Sequence, residues 1–304
     1  MSTKKEIEKH LLEEIEKTGY PLEIEISSIL DENNWFVLNQ DYYRDEEQDK
    51  ERTIDLFAVN VESYAGRMDE YKPFALSTDM VIECKKSNTH AWIFFTIPEI
   101  YRTPYFTGQT FEFLDAFADA KYSVLEEILP SFRDMRGESF LHYDKFQRIA
   151  VTSHEIRLDK KIAQKGRNEI FESRNQIVKC ISYHFGGLRK HVKAGSPSKL
   201  IRFFFPVIVF EGRMYECIVE KGKLNLMEKN HILFRTHYRP KYHASPLSYG
   251  IDVVKREYFR TFLKDIKADI HFLEERLIEK KDKIIESVDK VLLERNRKKE
   301  GTFG

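Results

Sequence analysis

The sequence predicts an α/β fold, a central sheet flanked by helices with a helical insertion and a long C-terminal helix. Runs rich in β-branched and aromatic residues at 53–59, 80–86 and 203–210 have the length of buried strands. Apolar residues recur at helical spacing near both ends of the chain and again from residue 168. With 304 residues, 41% of them hydrophobic and 13% aromatic, the chain can fill a substantial core.

Taken in order, Thr3 and Glu6 form a capping box ahead of Ile7, Leu11, Leu12 and Ile15, an amphipathic helix that stops at Gly19. Pro21 suits the first turn of a second helix, whose stripe Leu22, Ile26, Ile29 and Leu30 runs towards Asn33 and Asn34, with Glu23 and Glu25 on either side. Residues 35–38 read as a short strand, and a charged stretch, 41–52, leads into the strand 53–59, apolar except at Asp55. A loop or hairpin containing Gly66 and Pro73 precedes the strand 80–86, and residues 92–97 extend the sheet.

From about 98 to 154 the composition turns aromatic, with Tyr101, Tyr105, Phe106, Phe111, Phe113, Phe117 and Tyr122. This reads as an insertion with a helix near 111–129 and a strand at 148–152, its aromatics forming a satellite core more readily than a surface for unpaired bases. A helix over 168–185 should end at Gly186-Gly187. After a Gly-Ser-Pro-Ser linker at 195–198, strand 203–210 is expected to turn at Glu211-Gly212 into 214–220, a β-hairpin. Residues 254–295 follow a near-heptad rhythm broken at Lys280, which either pairs two copies or covers the sheet. The expected division is a domain over 1–253 and a helical segment over 254–304.

Composition narrows the function. The net charge is zero, yet residues 1–55 carry 16 acidic against 7 basic residues, whereas 160–202 carry 11 basic against Glu169 and Glu172. No apolar run is long enough to cross a membrane as a helix, the first residues resemble no secretory leader, and Cys84, Cys180 and Cys217 have no metal-ligand or redox spacing. The expectation is a cytoplasmic protein with reduced thiols. Phosphate-loop, nucleophile-elbow and dinucleotide motifs are missing from the sequence, and His231, His237 and His243 have no zinc spacing.

Chemistry concentrates at three strand residues. Alternate side chains of a strand share a face, so Glu83 and Lys85 hold a carboxylate and an ammonium together. Asp55, alone in an apolar strand, would carry a heavy desolvation cost without a cation or donors, and a metal ion shared with Glu83 would supply one. Hard oxygen ligands of this kind suit Mg²⁺, with the Cys84 carbonyl between the two side chains as a further ligand. The alternative is a surface ion pair of Glu83 with Lys85 and a salt-bridged Asp55.

Helix-borne Glu23, then Ile54-Asp55, then Glu83-Cys84-Lys85 on a following strand resembles the PD-(D/E)XK nuclease superfamily. The resemblance covers roughly residues 20–90, with Ile54 where the motif's name has proline. It implies a restriction-endonuclease-like mixed sheet flanked by helices and a nuclease using Mg²⁺ or Mn²⁺. Asp55 and Glu83 would bind the metal with the Cys84 carbonyl, Lys85 would be catalytic, and Glu23, preferred over Glu25, an accessory acid. The resemblance implies a restriction or genome-defence role; a DNA substrate is inferred from the basic run, with Lys165, Arg167, Arg174, Gln176 and Lys179 as candidate contacts, the alternative being that the run is a solvated helix face and loop. The rival readings are a catalytically silent nucleic-acid binder that keeps this fold, and an interaction protein organised by the C-terminal helix, through which the chain could form a homodimer.

Overall fold

The computed structural model describes residues 4–60, 75–98, 111–113, 121–128, 142–159, 168–191, 200–239 and 247–300. In chain order these form α1 (Lys4–Glu16), α2 (Tyr20–Asp31), β1 (Trp35–Asp45), β2 (Lys50–Asn60), β3 (Ala75–Pro98), β4 (Phe111–Phe113) and α3 (Lys121–Ile128). A 3₁₀ turn, His142–Lys145, then precedes β5 (Arg148–Arg157), α4 (Glu169–His191), β6 (Leu200–Glu220), β7 (Lys223–Glu228), β8 (His231–Tyr238) and β9 (Leu247–Lys255). The chain ends in α5 (Phe259–Glu279) and α6 (Lys281–Glu300), parted at Lys280 where the sequence breaks its heptads.

The chain is mixed α/β. Its sheet is large and mixed: β1–β2, β2–β3, β3–β5, β4–β6, β6–β7 and β8–β9 pair antiparallel, while β3–β6, β6–β9 and β5–β8 pair parallel. Because β3 pairs with both β5 and β6, the strands β3, β5, β8, β9 and β6 close into a ring. No helix among the described residues is long and apolar enough to cross a membrane.

Strand alternation explains why the central runs are apolar on both faces. Phe203, Phe205, Val207 and Val209 of β6 join Met80, Ile82 and Cys84 of β3 beneath α2 and α5. Phe204, Ile208 and Phe210 join Val81, Trp92 and Phe94 beneath Ile177, Val178 and Ile181 of α4. Each buried side chain of this size contributes on the order of 1.5–3 kcal/mol, so two covered faces hold the sheet more firmly than one. The C-terminal heptad residues Phe259, Leu263, Ile266, Ile270, Leu273 and Leu277 face the chain's own core, so α5 covers the sheet.

Several boundaries differ from the sequence-based expectation. No hairpin forms at Glu211-Gly212, because β6 runs straight through, parallel to β3. The glycine is needed for close approach: a Cβ there would lie 2.5 Å from the Phe210 ring and 2.7 Å from the Ser87 carbonyl, where β3 bulges. Likewise α4 continues through Gly186-Gly187, β1 extends across the charged stretch into a hairpin with β2, and 111–113 is strand rather than helix. The proposed 66–73 loop lies outside the described residues. The described parts of the aromatic segment join the rest of the fold, since β4 pairs with β6 and α3 packs on α5 and α6.

One buried ionic cluster pins α5 to the sheet. The His142 backbone N–H and ring Nδ1 both donate to Asp269 of α5, while Nε2 donates to Asp252 of β9 at 3.0 Å. Asp252 also accepts from His231 Nε2 at 2.8 Å. Burial opposes a charged His142, but the facing carboxylates dominate and push its pKa up to about 10.

Two outcomes are expected. Gly212→Ala should lower unfolding free energy by about 1–3 kcal/mol in denaturant titration, from overpacking against Phe210 and Ser87. The His142 pKa is above the ordinary 6.5, so its contribution is complete below that pH and lost as pH rises through about 10. The stability gap between wild type and His142→Gln should therefore narrow steadily from neutral pH to that point.

Candidate functional site

Asp55, Glu83, Lys85 and Glu23 come together where β2 and β3 part. Their ladder runs from Val59↔Asp79 to Leu56↔Ile82, and at the next position the Asp55 carboxylate replaces a strand bond by accepting from the Cys84 amide at 2.8 Å. A residue's N–H and C=O point to the same side of a strand, so the Cys84 carbonyl also faces Asp55. The Cys84 thiol lies in the opposite layer, under α2 and α5, where burial pushes its pKa far up.

Lys85 binds the cluster. Its Nζ donates to Glu83 Oε2 at 2.6 Å, Asp55 Oδ2 at 3.1 Å and the Cys84 carbonyl at 3.1 Å. Exposure is graded: the Lys85 side chain is 23% exposed, Asp55 15% and Glu83 0%, so the cluster opens to solvent only at its lysine and aspartate end. Burial disfavours the Lys85 charge, yet Glu83 and Asp55 outweigh it and raise the pKa, so Lys85 is held protonated. Burial pushes the Glu83 carboxyl up to about 8, aided by Asp55 and opposed by Lys85. Glu83 Oε1 is buried with no hydrogen-bond partner among the described residues.

Glu23 enters from the first turn of α2, packed by Leu22 and Ile26 against the sheet. Its Oε2 accepts from Gln40 Nε2 at 2.7 Å. Burial first, then the Asp55 charge, raises the Glu23 pKa, which shows the two carboxylates share one field. Glu25 instead pairs with Arg256 at 2.6 Å.

The basic candidates are placed differently. Lys165 and Arg167 lie outside the described residues. Lys179 Nζ is held by Asp45 at 2.9 Å and Glu47 at 2.8 Å, and Gln176 reaches the Thr53 carbonyl at 3.5 Å. The Arg174 guanidinium lies 4.6 Å from the Phe171 ring centre and 5.8 Å from that of Phe234. Arg202, from the same basic run, is buried in an ion pair with Asp79. These described side chains thus engage the protein's own groups, which charge counting along the sequence does not reveal.

Two contributors were not anticipated. Gln40 lies on β1, which the sequence reading ended at residue 38, so no signal pointed to it. Tyr43 belongs to the segment read only as charged; its buried hydroxyl has no hydrogen-bond partner among the described residues, and its pKa is raised by burial and then by Cys180 and Glu83. Among the described residues no three His, Cys, Asp or Glu side chains form a ready-made metal cage.

The Glu83 carboxyl titrates above its ordinary 4.5, so it contributes a loss of stability as pH rises from that value through about 8. Glu83→Gln removes that loss. Its melting temperature should gain on wild type between pH about 5 and about 9, and a constant difference would contradict the buried-carboxyl account.

No protein-family model matches the chain, and neither a curated protein nor a solved structure matches it significantly.

Proposed function

We propose that this chain is a divalent-metal-dependent phosphodiesterase with a restriction-endonuclease-like core, acting on DNA. The observation that carries the reading is the convergence of Asp55, Glu83 and Lys85 at one interruption of the sheet, with helix-borne Glu23 in the same electrostatic field. Residues 32, 28 and 2 positions apart along the chain meet there in the order the nuclease resemblance requires. A purely structural ion-pair network would explain Glu83, Lys85 and Asp55, but not why helix-borne Glu23 is also brought into the field of Asp55.

The donor set fits Mg²⁺ or Mn²⁺. It consists of hard oxygens, and the buried Glu83 Oε1 is without a hydrogen-bond partner among the described residues. Asp55, Glu83 and the Cys84 carbonyl would hold the ion, which when bound polarises a phosphate oxygen and lowers the pKa of a coordinated water. Lys85, kept protonated by its carboxylates, presents positive charge to a phosphate and can orient an attacking water. Glu23 is placed to hydrogen-bond a water beside Asp55 and steer it. Apolar layers above and below exclude bulk solvent, which strengthens each of these interactions.

A second reading, a silent nucleic-acid binder of the same fold, is favoured by the way Lys85 already occupies one oxygen of each carboxylate and by the lack of a ready-made metal cage among the described residues. One assay separates them: supercoiled, linear and single-stranded DNA and RNA incubated with Mg²⁺, Mn²⁺ or chelator. Metal-dependent cleavage of DNA is expected, falling by about 100-fold or more in Asp55→Ala and Lys85→Ala. Binding without cleavage under every metal would support the silent binder, and cleavage confined to RNA would replace DNA as the substrate.

A further inference from the structure

We infer that Gln40 is a positioning residue of this site: a left-handed bend in the middle of β1 aims its side-chain amide at Glu23 and fixes that carboxylate beside Asp55. The consequence for catalysis rests on the nuclease reading; the geometry does not.

Gln40 has φ +52°, a region that L side chains with a Cβ adopt reluctantly. The other non-glycine residues recorded there, Asn34, Asp49 and Lys221, lie at chain reversals, just after α2, between β1 and β2, and between β6 and β7. Gln40 is the exception, since it lies at the centre of a strand and reverses nothing. Strain kept where no turn requires it marks a residue held in place for what its side chain does.

The ladder shows what the bend achieves. Asn39 pairs with Leu56 and Asp41 with Ile54, but the intervening Gln40 and Asp55 do not pair. Both strands also exchange faces at this level. Trp35 and Val37 pack in the layer under α2, whereas Tyr43, also odd-numbered, packs under α4. On β2, Leu56 lies under α2, but the even-numbered Ile54 lies under α4. Released from the ladder together, Asp55 reaches the Cys84 amide and Gln40 reaches Glu23 Oε2 at 2.7 Å. Asparagine or glycine would relieve the backbone, but the first is one methylene shorter and the second has no amide at all.

The test compares full-length wild type with Gln40→Gly, Gln40→Asn, Glu23→Gln and the Gln40→Gly/Glu23→Gln double variant, in melting temperature and in Mn²⁺-dependent nicking of plasmid DNA. Gln40→Gly and Gln40→Asn should melt at or above the wild-type temperature yet lose about tenfold in kcat with KM little changed. The double variant should lose no more kcat than the worse single one, because both remove the same positioned carboxylate. Full turnover in Gln40→Gly, losses that multiply in the double variant, or a Gln40→Gly melting temperature well below wild type would overturn the assignment. If wild type nicks nothing with any metal, the nuclease reading falls and the melting temperatures decide: coupled Gln40 and Glu23 effects uphold the positioning role, and additive ones overturn it.

Discussion

Glu83 is a carboxylate without access to solvent, placed between the apolar layers of a sheet, and much of the molecule is arranged around the cost of keeping it there. An ion that size taken out of water loses several kcal/mol of hydration even after relaxation, so it needs a partner of opposite charge or a proton. Lys85 supplies the partner from two residues along the same strand, and strand alternation guarantees that it points to the same side. Asp55 shares that one ammonium, which leaves the cluster richer in acid than in base. Above the Glu83 pKa of about 8 the buried site carries surplus negative charge and, among the described residues, a carboxylate oxygen without a hydrogen-bond partner, and that demand for a cation is the physical basis for reading it as a metal site.

The fold produces this arrangement by interrupting its own ladder. β1 and β2 leave Gln40 and Asp55 unpaired, and β2 leaves β3 one step beyond Leu56. Elsewhere the sheet is closed on itself through the ring of β3, β5, β8, β9 and β6, and covered on both faces, so the gap is rigidly framed. His142, with carboxylates from β9 and α5 on its two ring nitrogens, fixes the covering helix to that frame.

The core of the site was legible because its signals are local. A lone aspartate in an apolar strand is costly wherever the strand goes, and Glu83 and Lys85 share a face under any strand geometry; Glu23 followed from its place in a stripe-bearing helix. What stayed hidden depends on partners distant in sequence. Glu211-Gly212 looks like a turn, because a glycine needed for close approach is written with the same letter as one needed for a reversal. Gly186-Gly187 reads as a helix stop, yet α4 continues through it. Gln40 was invisible, since neither periodicity nor composition encodes a positive φ, and Lys179 looked free because Asp45 and Glu47 lie more than a hundred residues earlier.

The central claim, that Asp55 and Glu83 together hold a catalytic divalent ion, is tested most directly by crystals soaked in Mn²⁺ above the Glu83 pKa and measured for anomalous scattering. The account predicts a peak between the Asp55 and Glu83 carboxylates that disappears in Glu83→Gln. Lys85 still seated on both carboxylates, with Mn²⁺ bound only elsewhere or not at all, would contradict it.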